Sequence, residues 1–133
     1  MPAYKPDHVE GEKLNAIIEA GTFAPTGMGK QSPIILVIKD KEVRDRLAKI
    51  NAAVLGADID PFYGALDVVV VLADKSMPTY VYDGSLVMGN MMNAAADLGV
   101  ASCFRTLGRS DFFRALAEYS LTVIDCFGVK KRL

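Results

Sequence analysis

Apolar positions along the chain alternate between two periods. Leu14, Ile17 and Ile18 recur at helical spacing and predict a first helix from about Glu10 to Ala20. Glu10 and Glu12 stand in its first turn, where the helix dipole favours acids, and Gly21 is the expected C′ residue. The segment Thr22 to Pro33 then reads as a loop, because it holds two glycines, two prolines and several small polar residues. Ile34 to Ile38 is a continuous β-branched run and predicts a buried strand. Asp40 to Ile50 predicts a second helix with Val43, Leu47 and Ile50 on one face and a solvated face of charges that includes Arg44. After a loop from Ala57 to Gly64, Asp67 to Leu72 predicts a second buried strand.

The second half repeats the alternation. Tyr82 to Leu98 predicts a long helix with Asp83 as N-cap and Gly99 as C′ stop. It is apolar nearly all round and rich in small residues, so it is expected to be buried on several sides, one of them against a partner subunit. Val100 to Phe104 predicts a third strand, Ser110 to Glu118 a last helix and Leu121 to Val129 a last strand. The fold class is α/β in the broad sense (α+β): one short central sheet flanked by helices on both faces, dimer-forming, in a single domain over residues 1–133.

Composition narrows the function classes. The 133 residues are 51% hydrophobic and 23% charged, an ordinary globular balance. A formal net charge of −1 gives no general attraction to nucleic acid or to an anionic membrane. The longest apolar run, Val68 to Ala73, is too short to span a bilayer, and the N-terminus shows no signal-peptide core. Cys103 and Cys126 lie far apart, without the spacing of a zinc site, and read as reduced core thiols. A cytoplasmic protein is expected.

Candidate chemistry is sparse. His8 is the sole histidine and sits near a proline-flanked N-terminus, a poor base for a catalytic triad. Asp67 begins a buried strand, where a carboxylate bonded to a neighbouring turn is the ordinary case. No acidic pair has the spacing of a glycosidase or a metal centre. Met88, Met91 and Met92 read as core or interface filler. Gly27-Met28-Gly29-Lys30 invites comparison with a phosphate loop, but Gln31 replaces the required hydroxyl residue. The context is also reversed, since this loop leaves a helix and enters a strand.

What remains is a glycine-rich loop from Ala24 to Gln31 with no ionisable catalytic group. It offers backbone amides at close approach, the side chains of Thr26 and Gln31, and the Lys30 cation. A flavin has an amide-rich ring edge and a phosphate, and it carries its own redox chemistry, so it suits such a site. The residues alone leave two readings, a flavin cradle and a plain structural loop.

Four stretches resemble the FMN-dependent nitroreductase family. They are Tyr4 to Leu14, Ile17 to Gln31, Pro61 to Ala65, and Asp83 to Gly99 closing in Ala101-Ser102-Cys103. The resemblance implies a homodimer with FMN at the subunit interface. It implies hydride transfer from NADH or NADPH through flavin N5 to a nitroaromatic, quinone or similar small-molecule acceptor, with no catalytic side chain. Carried over by position, Pro25, Thr26, Gly27, Gly29 and Gln31 would contact the cofactor, with Thr26 where the family usually has Ser and Gly29 where it often has Asn. Lys131 and Arg132 would meet the FMN phosphate. The family's arginine-rich opening stretch has no counterpart in Met1-Pro2-Ala3-Tyr4, and the segment from Gly108 is short, so the chain resembles a trimmed member. The alternative is a non-catalytic dimer of the same fold that has lost flavin binding; a module for another planar ligand is a third reading.

Overall fold

The computed structural model describes residues 4–105 and 119–128, the latter strand as backbone. In chain order the elements are α1 (Gly11–Thr22), a 3₁₀ turn (Gly27–Gly29), β1 (Ile34–Ile38), α2 (Lys41–Leu55), β2 (Asp67–Asp74), α3 (Tyr80–Asp97), β3 (Ala101–Arg105) and β4 (Tyr119–Gly128). The predicted helix Ser110 to Glu118 lies outside the described residues, as do Lys131 and Arg132.

The four strands form one sheet in the order β1-β2-β4-β3, and every pairing is antiparallel. Strand β2 is central and buried along almost its whole length. Successive side chains of a strand point to opposite faces, so its valines feed two cores. Val69 and Val71 pack with Leu14 and Ile17 of α1 and with Val87, Met88, Met91 and Ala95 of α3. Val68, Val70 and Leu72 pack with Leu47 and Ala48 of α2, Phe62 and Ala65. Helices on both faces of a short sheet were the expectation, and that arrangement is observed.

Several local expectations are corrected. Gly21 is not the helix stop: it lies inside α1, buried, where a Cβ would come within 2.8 Å of Met91 Cγ. Helix α2 runs past Ile50 to Leu55 and ends on Gly56, whose left-handed φ of 63° suits glycine. Its buried face is Arg44, Leu47, Ala48 and Asn51, while Val43 is exposed. Arg44 turns inward because its guanidinium has partners there. Nε donates to Ala65 O at 2.9 Å and Nη2 to Asp60 Oδ2 at 2.6 Å, with the group stacked over the Phe62 ring. Helix α3 begins at Tyr80, so Asp83 lies in its first turn and Thr79 takes the N-cap position.

The N-terminal segment wraps around the end of the sheet, since Tyr4 is buried in one core and Val9 in the other. Asp67, the first residue of β2, holds it there. The fully buried carboxylate accepts from Val9 N at 2.7 Å and lies 2.8 Å from His8 Nδ1. His8 is therefore half-exposed and bonded, and Asp67 has the structural role expected of it.

Two outcomes follow for stability. Asp67→Ala would orphan the buried Val9 N–H and should cost about 2–4 kcal/mol in denaturant unfolding, whereas His8→Ala should cost under about 1 kcal/mol. Equal losses would contradict the latch. Burial raises the pKa of Asp60, but Arg44 and the N–H groups of Phe62 and Gly64 outweigh it and hold the carboxyl below its ordinary value. A lowered folded-state pKa stabilises the fold above the unfolded value of about 3.9, and that contribution is lost as pH falls through the folded value. Asp60→Asn should therefore flatten the acid limb of stability below about pH 4, measured by urea unfolding across pH. Parallel acid limbs for the two proteins would contradict this.

Candidate functional site

The loop between α1 and β1 is fixed from one side and open on the other. Phe23 N donates to Ala20 O and Ala24 N to Gly21 O, which ends α1, and Asn90 Nδ2 of α3 donates to Ala20 O at 3.1 Å. The inner anchor is Asp83. Its buried carboxylate accepts from Gly27 N at 2.9 Å and from Thr79 Oγ1 at 2.8 Å. A Cβ on Gly27 would lie 2.0 Å from Thr79 Oγ1, so only glycine allows the backbone to sit this close to the start of α3. An acid in the first turn also faces the positive end of the helix dipole.

The loop is strained around this anchor. Met28 and Gln31 both take left-handed φ values, 53° and 51°. Such a conformation costs about 1–3 kcal/mol for a residue with a side chain, and it persists where the surroundings impose it. Here Gln31 N donates to Thr26 Oγ1 at 2.9 Å, and Lys30 N to Gly27 O at 3.2 Å. Gln31 Nε2 reaches Ala24 O at 3.4 Å, a long bond.

The predicted site residues thus divide by role. Pro25, Thr26, Gly27, Gly29 and Gln31 do come together in one loop. Gly27 spends its N–H on Asp83 and is an anchor. Thr26 accepts one bond and keeps its hydroxyl proton to donate outward. Gly29 faces open space, and Gln31 and Lys30 are exposed. Sequence reading missed Asp83, Thr79 and Asn90, which position the loop. Asp83 carried a signal as an acid at a helix start, but its partner Gly27 is far away in sequence.

Beside the loop lies a hollow of about 350 Å³ lined by Ile18, Gly21, Thr22, Gln31, Pro33, Ile35 and Val87. Its walls are mostly apolar and Thr22 and Gln31 supply its polar rim, the usual make-up of a small-molecule site; of the described contacts predicted from the sequence only Gln31 lines it. A larger, open hollow of about 690 Å³ runs along α2, but its buried Arg44 already binds Asp60 at its rim. The hollow beside the loop is therefore the candidate site. Large apolar side chains surround its loop in solvent: Phe23 is 76% exposed, Met28 78% and Tyr82 71%. Among the described residues no group of three or more His, Cys, Asp or Glu could hold a metal ion. None of the described helices is long and apolar enough to cross a membrane.

Comparison with known proteins meets this geometry at the same place. The model of the nitroreductase family matches residues 3–62, which contain α1, the loop, β1 and α2. A crystal structure of a nitroreductase with bound FMN from Bacteroides fragilis superposes with a TM-score of 0.86 at 23% identity, over 98% of this chain and 82% of that one. The chain has the nitroreductase fold. A nitroreductase family protein from Clostridium difficile gives a TM-score of 0.83 at 25% identity, over 98% of this chain and 78% of that one. Oxidised iodotyrosine deiodinase bound to FMN and 3-iodo-L-tyrosine gives 0.80 at 19% identity, over 98% and 84%. None of the curated proteins matches the sequence. The nitroreductase resemblance read from the sequence stands, and the loop it rested on is the loop that borders the apolar hollow.

Gly27→Ala tests the anchor. The added methyl must push the loop from α3 or displace Thr79, and it should cost about 1–3 kcal/mol in thermal or denaturant unfolding. Gly29→Ala, in open space but at φ 64°, should cost about 1 kcal/mol. A Gly27→Ala protein as stable as the parent would remove the anchor.

Proposed function

We propose that this nitroreductase-like chain is an FMN-dependent oxidoreductase that passes hydride from NADH or NADPH to a nitroaromatic, quinone or similar small acceptor. The observation that carries the reading is the loop itself, strained, anchored inward through Gly27 to Asp83 and open outward beside an apolar hollow. The donor set fits the cofactor. The apolar walls from Ile18, Ile35 and Val87 suit a flat ring and exclude water from it, while Thr26, Gln31 and the exposed backbone at Gly29 suit its amide-rich edge. Lys30 offers a cation to a phosphate. The proposed roles of Lys131 and Arg132 toward that phosphate rest on the family resemblance.

When bound, FMN supplies the redox chemistry, accepting hydride from one substrate and delivering it to the next. The chain's own residues do the positioning. The two bonds to Asp83 and the left-handed turn at Gln31 hold the donors in place before the ligand arrives, which lowers the ordering cost of binding. Fixed dipoles of this kind polarise a bound ring without reorganising.

A homodimer belongs to the same proposal. Tyr82 and Leu86 of α3 lie one turn apart and are 71% and 47% exposed. Phe23 and Met28 are exposed on the neighbouring loop. Large apolar groups gathered in this way mark an interaction surface, and its position would place a second subunit beside the hollow.

The purified protein should carry FMN or take it up on titration, with flavin absorbance that bleaches on anaerobic addition of NADH or NADPH. Thr26→Val, which removes both the acceptor for Gln31 N and the hydroxyl donor toward a ligand, should weaken FMN about tenfold or more by fluorescence titration. A protein that binds no FMN yet sediments as a dimer would replace this reading with the non-catalytic one.

A further inference from the structure

The two cysteines of the chain are remote in sequence, but the sheet brings them together. In the β3–β4 ladder Cys103 stands directly opposite Cys126, flanked by the pairs Ser102 with Phe127 and Phe104 with Asp125. Directly opposed positions in an antiparallel ladder share a face, with Cα atoms about 4.5 or 5.5 Å apart according to the kind of pair. A disulfide takes Cα separations of about 4.4–6.8 Å. The register therefore meets the Cα-spacing requirement for a cross-link.

The position is also accessible. Among the described residues strand β3 is an edge of the sheet. Cys103 is half-buried at the margin of the core that holds Phe62 and Leu72, so its side chain is partly open to solvent. A small reagent can approach from the edge. Disulfides at exposed positions are reduced more readily than those in a core.

We propose that Cys103 and Cys126 are a redox modification site, forming a reversible intrachain disulfide that fastens the edge strand β3 to β4. The oxidant class is a small-molecule disulfide such as oxidised glutathione. The thiolate of one cysteine attacks a glutathione sulfur, breaking the glutathione disulfide, forming a mixed disulfide and releasing one glutathione. The thiolate of the second cysteine then attacks the protein sulfur of that mixed disulfide, forming the Cys103–Cys126 bond and expelling the second glutathione. The two protein thiols lose two electrons, the glutathione disulfide gains them, and the two thiol protons end on the two glutathione thiols. The site is independent of flavin binding and stands or falls separately from it.

The test uses the full chain, reduced and then incubated with oxidised glutathione, quenched in acid and measured by intact mass and non-reducing peptide mapping. The expected product is lighter by two hydrogens, yields one linked species containing the peptides of Cys103 and Cys126, and reverts with dithiothreitol. Alkylation of both cysteines should fall about tenfold or more before reduction. Cys126→Ser should stop at the mixed disulfide on Cys103, heavier by one glutathionyl group. Wild-type protein that stays reduced, keeps glutathionyl groups on both cysteines, or links two chains through these residues would overturn the proposal.

Discussion

The burial of β2 on both faces is the constraint from which the rest of the structure follows. Four consecutive valines leave this strand no solvated side, so each face must be covered by something else. Helices α1 and α3 cover one and α2 with Phe62 covers the other. Burying one such side chain is worth about 1.5–3 kcal/mol, so the strand repays both layers at once. Polar anchors then lock the cover in place. Asp67 ties the N-terminal segment to the start of the strand, and Arg44 with Asp60 and Ala65 ties α2 to the turn that leads into β2.

The candidate site is a by-product of that covering. Packing α1 against α3 requires Gly21 where the helices touch, and it brings the chain out of α1 beside the first turn of α3. There Asp83 catches the Gly27 N–H. The loop that results cannot relax into an ordinary turn, and it holds Met28 and Gln31 in left-handed conformations. Strain of this kind on one side and an apolar hollow on the other is what a preorganised ligand site looks like.

Much of this was legible in the sequence where the signal is local. The strands β1 and β2, the stripe of α1 and the stop of α3 at Gly99 all follow from neighbours a few positions apart, but β1 is not the buried strand its apolar run predicts: it lies at the end of the strand order, with Ile34, Leu36 and Val37 exposed. The loop was legible too, through its glycines and prolines. What escaped was decided by partners far along the chain. Gly21 looks like a helix stop until Met91 is placed against it, and Arg44 looks solvated until Asp60 and the Ala65 carbonyl turn it inward. Asp83 looks like an N-cap because its bond to Gly27 spans 56 positions. The opposition of Cys103 and Cys126 depends wholly on sheet register, which no spacing reveals.

The anchored loop and the hollow beside it are proposed to form one flavin seat. Backbone amide NMR of the ¹⁵N-labelled protein, titrated with FMN, tests this most directly. The expected shifts centre on Thr26, Gly29, Lys30 and Gln31 and on the walls at Ile18, Ile35 and Val87, with Lys131 and Arg132 also shifting and the α2 hollow near Asp58 unchanged. Shifts centred on the α2 hollow, or none as FMN saturates, would contradict it.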